Sequence, residues 1–539
     1  MGFLQPFLVK KETRDGGGRT QKSSAPVPAG ARPAMVQRKT LFASGFAPLW
    51  GPCYWPGMIL GSLFRRGPKP GDKILVAYAS QTGAAERIAW LTANALTANA
   101  SAGGGFVRVA ALGGLTVADL AEAGTLLVVT STYGAGDAPD NARSFVKKQM
   151  SQSPVLKGLN FAVLALGDMK YDATFCGFGK SLDRWLARAG ARRLADIICV
   201  DGDNDIAAMT AWSDQLARLG GNANAQALMP GPPQDWLLVE RRLLNPGSPG
   251  GAGGEAWHIA LEPKTPAHLS WTAGDIAEIW PSNPAAAVEA FLAAQGLDGT
   301  RRFRWQGHEM SLRDIIAHSH LPKPHEVEGV SVDWLVQRLE PFPHREYSIA
   351  SLPQSGRMEL LVRKAVRSDG TLGLGSGWLT QDAALGGVVK LRLRPNANFH
   401  APGDGPMILI GAGTGIAGLR PHLLHRQRKG LKDAWLLFGE RTAAADLHYG
   451  DDIRAWQADG TLTRADLVFS RAPEGGRYVQ AVVAEQGDDI RAWVARGASL
   501  MVCGGLEMAA GVQDALTAIL GEEALDAMGD TGLYRRDIY

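Results

Sequence analysis

Residues 73–98 read KILVAYASQTGAAERIAWLTANALTA, and their reading decides the fold. KILVAYAS (73–80) is an apolar run of buried-strand type, and a helical stretch follows from Ala84 to about Ala98. The loop between them is Ser80, Gln81, Thr82, Gly83 and Ala84. Hydroxyls, a glycine and free backbone N–H groups at a helix N-terminus suit a phosphate dianion. The lysine of a nucleotide P-loop is absent, so a nucleoside triphosphate is a poor fit.

The same alternation continues downstream. TLLVVTST (125–132), FAVLALGD (161–168) and ADIICV (195–200) repeat the strand pattern, with helical stretches between them. This predicts a doubly wound parallel sheet over residues 72–222, with ligands at the carboxyl ends of its strands. The second strand-end loop holds Ser131, Thr132, Tyr133 and Gly134, with Tyr133 on a glycine-rich turn. The third holds Leu166, Gly167 and Asp168, followed by Tyr171 and Phe175. A phosphate cradle plus two loop tyrosines can hold a planar tricyclic ring between aromatic faces. Taken singly, each tyrosine also fits a loop cover and the TG a helix cap. Three loops in register favour the ring site.

At roughly 150 residues per domain, a chain of 539 suggests three or four domains. Hydrophobic residues at 45% and charged residues at 20% exclude a wholly disordered or collagen-like chain. Residues 1–40 carry eight basic and two acidic side chains, so the overall +3 leaves −3 for the other 499. The body is mildly acidic, which argues against nucleic acid as a partner. Cys53, Cys176, Cys199 and Cys503 form no CxxC pair, which disfavours a metal or iron–sulfur site and points to a reducing, cytoplasmic setting. Residues 10–40 read as disordered. Residues 41–64 are free of charge but contain Pro48, Pro52 and Pro56. Interior prolines cost about 3 kcal/mol each in an unsupported helix, so this stretch reads as a tether or weak membrane contact rather than a span.

Residues 235–403 offer short strands: AWHIALE (256–262), MELLVRK (358–364) and VVKLRLR (388–394). They predict an antiparallel barrel with a short helical insertion at 284–340. Arg345, Tyr347 and Ser348 offer a guanidinium for a pyrophosphate, a ring for a flavin face and a hydroxyl. Gly373, Leu374, Gly375 and Ser376 form a small-residue turn into a helix, again suited to pyrophosphate. Taken alone, an Arg–Tyr pair on a strand also fits cross-strand packing.

Residues 404–539 return to strand–turn–helix. In PMILIGAGTGIAGLR (406–420) the turn around Gly413 and Thr414 lets a backbone approach a dinucleotide closely. Ser470 and Arg471 end one strand, with Arg477, Tyr478 and Gln480 close behind. Such a cationic cluster suits an adenosine 2′-phosphate and favours NADPH over NADH.

SQTGAAE (80–86), STYGAGDAPDNA (131–142) and LGDMKYDATFCGFGKSLDRWL (166–186) resemble the FMN-binding loops of the diflavin reductases. That family includes NADPH–cytochrome reductases and the flavoprotein subunit of sulfite reductase. RxYS (345–348) and GxxS (373–376) resemble its ferredoxin–NADP reductase-type FAD domain. FGER (438–441), DLVFSR (466–471), RYVQ (477–480) and the terminal YRRDIY (534–539) resemble sulfite reductase flavoproteins. The resemblance implies that Tyr133 and Tyr171 flank the FMN ring, that Tyr539 stacks on FAD, and that Ser348, Cys503 and Asp537 surround the nicotinamide. Ala84, Gly505 and Gly511 differ from the family, which commonly has polar or acidic residues there.

The expected architecture is therefore α/β and multidomain: a tail (1–71), a flavodoxin-like FMN domain (72–222), an antiparallel FAD barrel (235–403) and a Rossmann-like NADP domain (404–539). The resemblance implies electron flow from NADPH to FAD to FMN to an external haem protein, with a sulfite reductase hemoprotein as the candidate acceptor. A flavin-retaining, redox-responsive binding protein with little turnover is the alternative.

Overall fold

The computed structural model describes residues 72–97, 106–202, 205–248, 254–266, 268–306, 308–327, 329–473 and 475–539, all within one compact unit. The apolar stretch 41–64 lies outside the described residues. Among those described, no helix is long and apolar enough to cross a membrane.

The first sheet is parallel and six-stranded. It contains β1 (Asp72–Ala79), β2 (Phe106–Ala111), β3 (Thr125–Ser131), β4 (Asn160–Gly167), β5 (Arg192–Arg193) and β6 (Ile198–Asp201). The order is β2-β1-β3-β4, with β5 and β6 each pairing β4. Side chains alternate faces along a strand. Leu126 and Val128 accordingly enter one core, Leu127 and Val129 the core on the opposite face. Strand order reverses between β1 and β3, which opens a crevice at their carboxyl ends.

β2 and β5 were not anticipated. β2 is an edge strand whose residues Val107–Ala110 are half-buried, so it lacks the unbroken apolar run that marks a strand covered on both faces. β5 is two exposed arginines.

The second sheet is antiparallel. It is built from β7 (Gln234–Leu243), β8 (Ala256–Pro263), β9 (Ile276–Trp280), β12 (Arg345–Ser348), β13 (Met358–Arg363) and β14 (Val388–Arg394), in the order β12-β9-β14-β7-β8-β13. Just past β12, Ile349 bridges to Leu360 of β13 and closes the ring. Trp236, Leu261, Ile279, Leu360 and Leu391 fill it. The insertion between β9 and β12 carries the helices Ala285–Ala294, Leu312–Ala317 and Val332–Arg338 around its own core. It also contains a hairpin, β10 (Arg302–Trp305) and β11 (His308–Ser311), where an all-helical insertion was expected. Gln306, at φ 50°, makes the tight turn between them.

The third sheet is parallel, in the order β17-β16-β15-β18-β19. Its strands are β15 (Met407–Ala412), β16 (Ala434–Glu440), β17 (Leu462–Phe469), β18 (Ser499–Gly504) and β19 (Tyr534–Ile538). β19 was not foreseen as a strand, because YRRDI has no apolar run. Its register sets Asp537 beside Cys503.

Candidate functional site

Three loops meet at the carboxyl edge of the first sheet. Ser80 is buried, and its Oγ accepts the Ala85 N–H at 3.2 Å, which starts the helix Ala84–Thr97. Gly83 sits at φ 87°, a conformation that favours glycine. The Gln81 N–H donates to Ser131 Oγ at 3.2 Å, tying the first loop to the second. Gln81 and Asp140 exchange two bonds, Nε2 to Oδ2 at 3.1 Å and the Asp140 N–H to Oε1 at 2.9 Å. Thr132 Oγ1 is buried with no hydrogen-bond partner among the described residues, and an orphaned hydroxyl here calls for an acceptor or donor from a ligand. Tyr133 opens a turn closed by its bridge to Asp137, with Gly134 and Gly136 at positive φ. In the third loop Asp168 Oδ1 accepts the Lys170 N–H at 2.9 Å, and Tyr171 is 67% exposed. Phe175 packs against the domain core with Lys180 over its ring. Gly167 is required, since a Cβ there would lie 2.8 Å from the Phe175 ring. Leu166, next to last in β4, pairs with Ser131. This arrangement fits a phosphorylated planar ring held between exposed aromatic faces.

The second site is a cavity of about 560 Å³ between barrel and third sheet. Tyr347 lines it, and Arg345 and the GLGS turn pack against Tyr347: a Cβ on Gly375 would fall 2.6 Å from Arg345 Cγ and 2.9 Å from the Tyr347 hydroxyl. Ser376 Oγ accepts the Ala365 N–H at 3.1 Å, and the Gly373 N–H donates to the Ala365 carbonyl at 2.8 Å, fixing the turn that begins at Leu374. Ser348, Thr414, Asp537 and Tyr539 line the same cavity, and so do Gln81 and Thr82 of the first loop. Its volume suits a large cofactor ring.

Ser348 and Asp537 of this lining meet the buried Cys503. The Ser348 hydroxyl donates to Asp537 Oδ2 at 2.8 Å, and the Cys503 thiol faces the same oxygen at 3.7 Å. Burial pushes the Asp537 carboxyl above its ordinary range, opposed by the Ser348 bond, the Arg394 charge and Cys503. Burial and the Asp537 charge push the Cys503 thiol well up, so it is a neutral donor. The terminal Tyr539 is half-exposed, its hydroxyl 2.8 Å from Thr414 Oγ1. Thr414 lies in the turn Gly413–Gly415, whose first residue has φ 61°.

The third site lies at the ends of β16 and β17. The Ser470 N–H donates to the Glu440 carbonyl, and the Arg471 N–H to the Arg441 carbonyl, both at 2.8 Å. Arg441 was missed in the sequence. Its Nη1 is buried without a partner among the described residues, and burial, Arg363 and Arg471 together depress its pKa. Three mutually repelling guanidiniums, one of them unsatisfied, fit an anionic phosphate. FGER at a strand end was the signal available for it. The Arg477 N–H donates to the Phe469 carbonyl at the end of β17, and its guanidinium pairs with Glu485. Tyr478 is exposed, and Gln480 lies across Gly511, where a Cβ would come within 2.9 Å of its Cγ.

The first domain is held directly against the other two. Asn398 Nδ2 donates to the Ser80 and Gln81 carbonyls, Arg394 to the Thr82 carbonyl, and Arg536 to Asp140.

Comparison with known proteins agrees with this geometry. Residues 76–212 match the model of the flavodoxin family, and residues 409–514 that of the oxidoreductase NAD-binding domain. The chain is 29% identical to a sulfite reductase [NADPH] flavoprotein alpha-component from Shewanella sp. (strain MR-7), over 86% of this chain and 89% of the relative. It is 27% identical to the protein of that name from Vibrio vulnificus (strain CMCP6), over 87% and 88% respectively. With a flavodoxin-type sheet, an antiparallel barrel and an NAD-binding sheet in one chain, the protein has the domain content and order of the diflavin reductases.

Proposed function

We propose that the chain is an NADPH-dependent oxidoreductase that passes electrons through FAD and FMN to a haem protein on a separate chain, a sulfite reductase hemoprotein being the acceptor. The observation that carries this is the shared cavity: Ser348 and Asp537, with Cys503 behind them, and the loop residues Gln81 and Thr82 meet at one space of about 560 Å³, which all but Cys503 line. A hydride-accepting site and a one-electron exit site are thereby adjacent. The bound flavins supply the redox chemistry, taking a hydride at one end and releasing single electrons at the other.

The protein's own groups bind and orient. In the FMN site, Ser80 to Ala84 hold the phosphate with backbone N–H groups, while Tyr133 and Tyr171 cover the ring. In the FAD site, Arg345 with the Gly373–Ser376 turn holds the pyrophosphate and Tyr347 packs a ring face. Arg441, Arg471, Ser470 and Gln480 receive the 2′-phosphate end of NADPH. Ser348, Cys503 and the Asp537 carboxylate position the nicotinamide and favour the positive charge that develops as the hydride leaves.

A cytoplasmic location accords with the free thiols of Cys176, Cys199 and Cys503. Membrane contact through residues 41–64 is tested by co-sedimentation with vesicles.

The test is direct. The purified protein should be yellow, release FMN and FAD in near-equal amounts and reduce cytochrome c with NADPH. Flavins bound without any NADPH-dependent reduction would favour the binding-protein alternative.

A further inference from the structure

Two cysteines far apart in the sequence meet in the first domain. Cys199 lies on β6, where the parallel register sets it beside Ala165 of β4. Cys176 precedes the helix Gly177–Arg188 in a left-handed conformation, φ 54°, and its thiol donates to the Ala165 carbonyl at 3.2 Å. Both side chains therefore pack beside Ala165 in one core, and each thiol alters the other's proton affinity. Neither is in a disulfide.

Their environments differ in a useful way. Cys176 is buried, whereas Cys199 is partly exposed. The neighbouring Cys176 thiol pulls the Cys199 thiol down to about 7, against burial; Lys180 adds to the fall and Asp183 opposes it. The Cys199 neighbour and burial push Cys176 upward. A thiolate is the nucleophilic form of cysteine, and an accessible one beside a second thiol is the usual setting for reversible oxidation. Cys503, by contrast, is fully enclosed and faces Asp537.

We propose that Cys199 and Cys176 form a peroxide-reactive dithiol, with Cys199 as the attacking sulfur and Cys176 as the resolving one. The Cys199 thiolate attacks one oxygen of hydrogen peroxide. The O–O bond breaks, the sulfur becomes a sulfenic acid, and the departing hydroxide takes a proton to become water. Cys176 then attacks the sulfenic sulfur, the S–S bond forms, and the hydroxyl leaves as water with the Cys176 proton. Two thiols lose two electrons and two protons, and one peroxide becomes two waters. The bond closes under the loop that carries Tyr171: a Cβ at Gly167 would lie 3.0 Å from Cys176 Sγ. Oxidation thus acts on the floor of the loop Leu166–Phe175.

The experiment uses the full flavin-loaded chain, treated with hydrogen peroxide, alkylated and mapped by mass spectrometry. The expected product is a Cys176–Cys199 linked peptide pair, lighter by two hydrogens than the reduced pair and restored by dithiothreitol. Cys176→Ala should stop at a Cys199 sulfenic acid that dimedone traps, and Cys199→Ser should leave Cys176 unoxidised. The wild-type map decides by itself if either variant fails to fold. Full alkylation of both cysteines after peroxide treatment would overturn the proposal. So would oxidation of Cys176 in Cys199→Ser, or conversion of Cys199 to sulfinic acid with no linked pair. None of these results bears on NADPH-dependent reduction of cytochrome c, which is read separately.

Discussion

Arg536 and Asp140 are 396 residues apart in the chain, yet Arg536 Nε donates to Asp140 Oδ2 at 3.0 Å. Asp140 belongs to the second loop of the first sheet, and Arg536 to the terminal strand that also carries Asp537. The Arg536 side chain is only 12% exposed, so water screens the pair weakly. Burial favours the neutral acid, but Arg536, Arg143 and Gln81 outweigh it and hold the Asp140 carboxyl below its usual range. A depressed carboxylate gives stability that is present above the unfolded value of about 4 and is lost as pH falls through the folded one. The contact should therefore persist unchanged across neutral pH.

Removing it should loosen the docked first domain. Between an exposed pair and a fully buried one, the loss expected is about 1–3 kcal/mol. Asp140→Asn should enlarge the particle in small-angle scattering, speed cytochrome c reduction and slow internal transfer between the flavins. If the scattering profile and both rates match wild type, the pair does not hold the domains.

Asp537 should trade stability against activity. Its folded pKa is raised, chiefly by burial, so the folded state binds its proton more tightly than the unfolded chain does. The ionised group then costs stability at neutral pH, a cost that fades below about pH 4, where both states are protonated. Asp537→Asn is expected to melt higher than wild type near pH 7, with the gap closing as pH falls. Its turnover with NADPH should drop by about 10²-fold, the scale of losing one positioned charge. A lower melting temperature at neutral pH would refute this account of the carboxyl.

On the proposed reading, Tyr133→Ala or Tyr171→Ala removes a stacking face worth about 0.5–1.5 kcal/mol beyond burial. Each variant should lose FMN on dialysis and reduce cytochrome c poorly. Ferricyanide reduction, which FAD can perform directly, should stay close to wild type. Equal losses in both assays, with FAD content intact, would contradict the serial order of the two flavins.

The fold was legible wherever a strand is covered on both faces, because burial demands an apolar run. TLLVVTS and MILIGA announce themselves for that reason, and β2 and β19 do not. β19 is half-buried along its length and reads YRRDI, so its strand character comes from pairing with β18. The glycine-rich loops were legible because turns and helix starts need particular local residues. Arg441, the Asp140–Arg536 pair and the Cys176–Cys199 contact were not, since each depends on chain segments that only the tertiary fold brings together.

The same local logic bears on nucleotide choice. On the proposed reading Arg441 and Arg471 form a cationic site for the 2′-phosphate, so Arg471→Ala and Arg441→Ala should each raise the NADPH Michaelis constant with little change in kcat. A charge-assisted contact is worth about 1.5–3 kcal/mol, which corresponds to roughly 10- to 150-fold. The NADH constant should barely move. A comparable rise for NADH would place these arginines at a group that both nucleotides share.

Tyr539 ends the chain with its hydroxyl 2.8 Å from Thr414 Oγ1 and its ring along the cavity that Tyr347 and Ser348 line. On the proposed reading, that ring covers the flavin and must move before the nicotinamide can enter. Opening then costs a stack of about 0.5–1.5 kcal/mol and a hydrogen bond of similar net worth. NADPH offsets this cost through its 2′-phosphate contacts, and NADH has no equivalent. The lid therefore rejects NADH while the arginine site attracts NADPH, two separate contributions to one selectivity. Tyr539→Ala should raise kcat/KM with NADH more than with NADPH. Thr414→Val keeps the ring and removes only the hydroxyl partner, so it should move the ratio in the same direction by a smaller factor. An unchanged NADPH/NADH ratio in folded, FAD-replete Tyr539→Ala protein would mean that the terminal ring only packs the chain end.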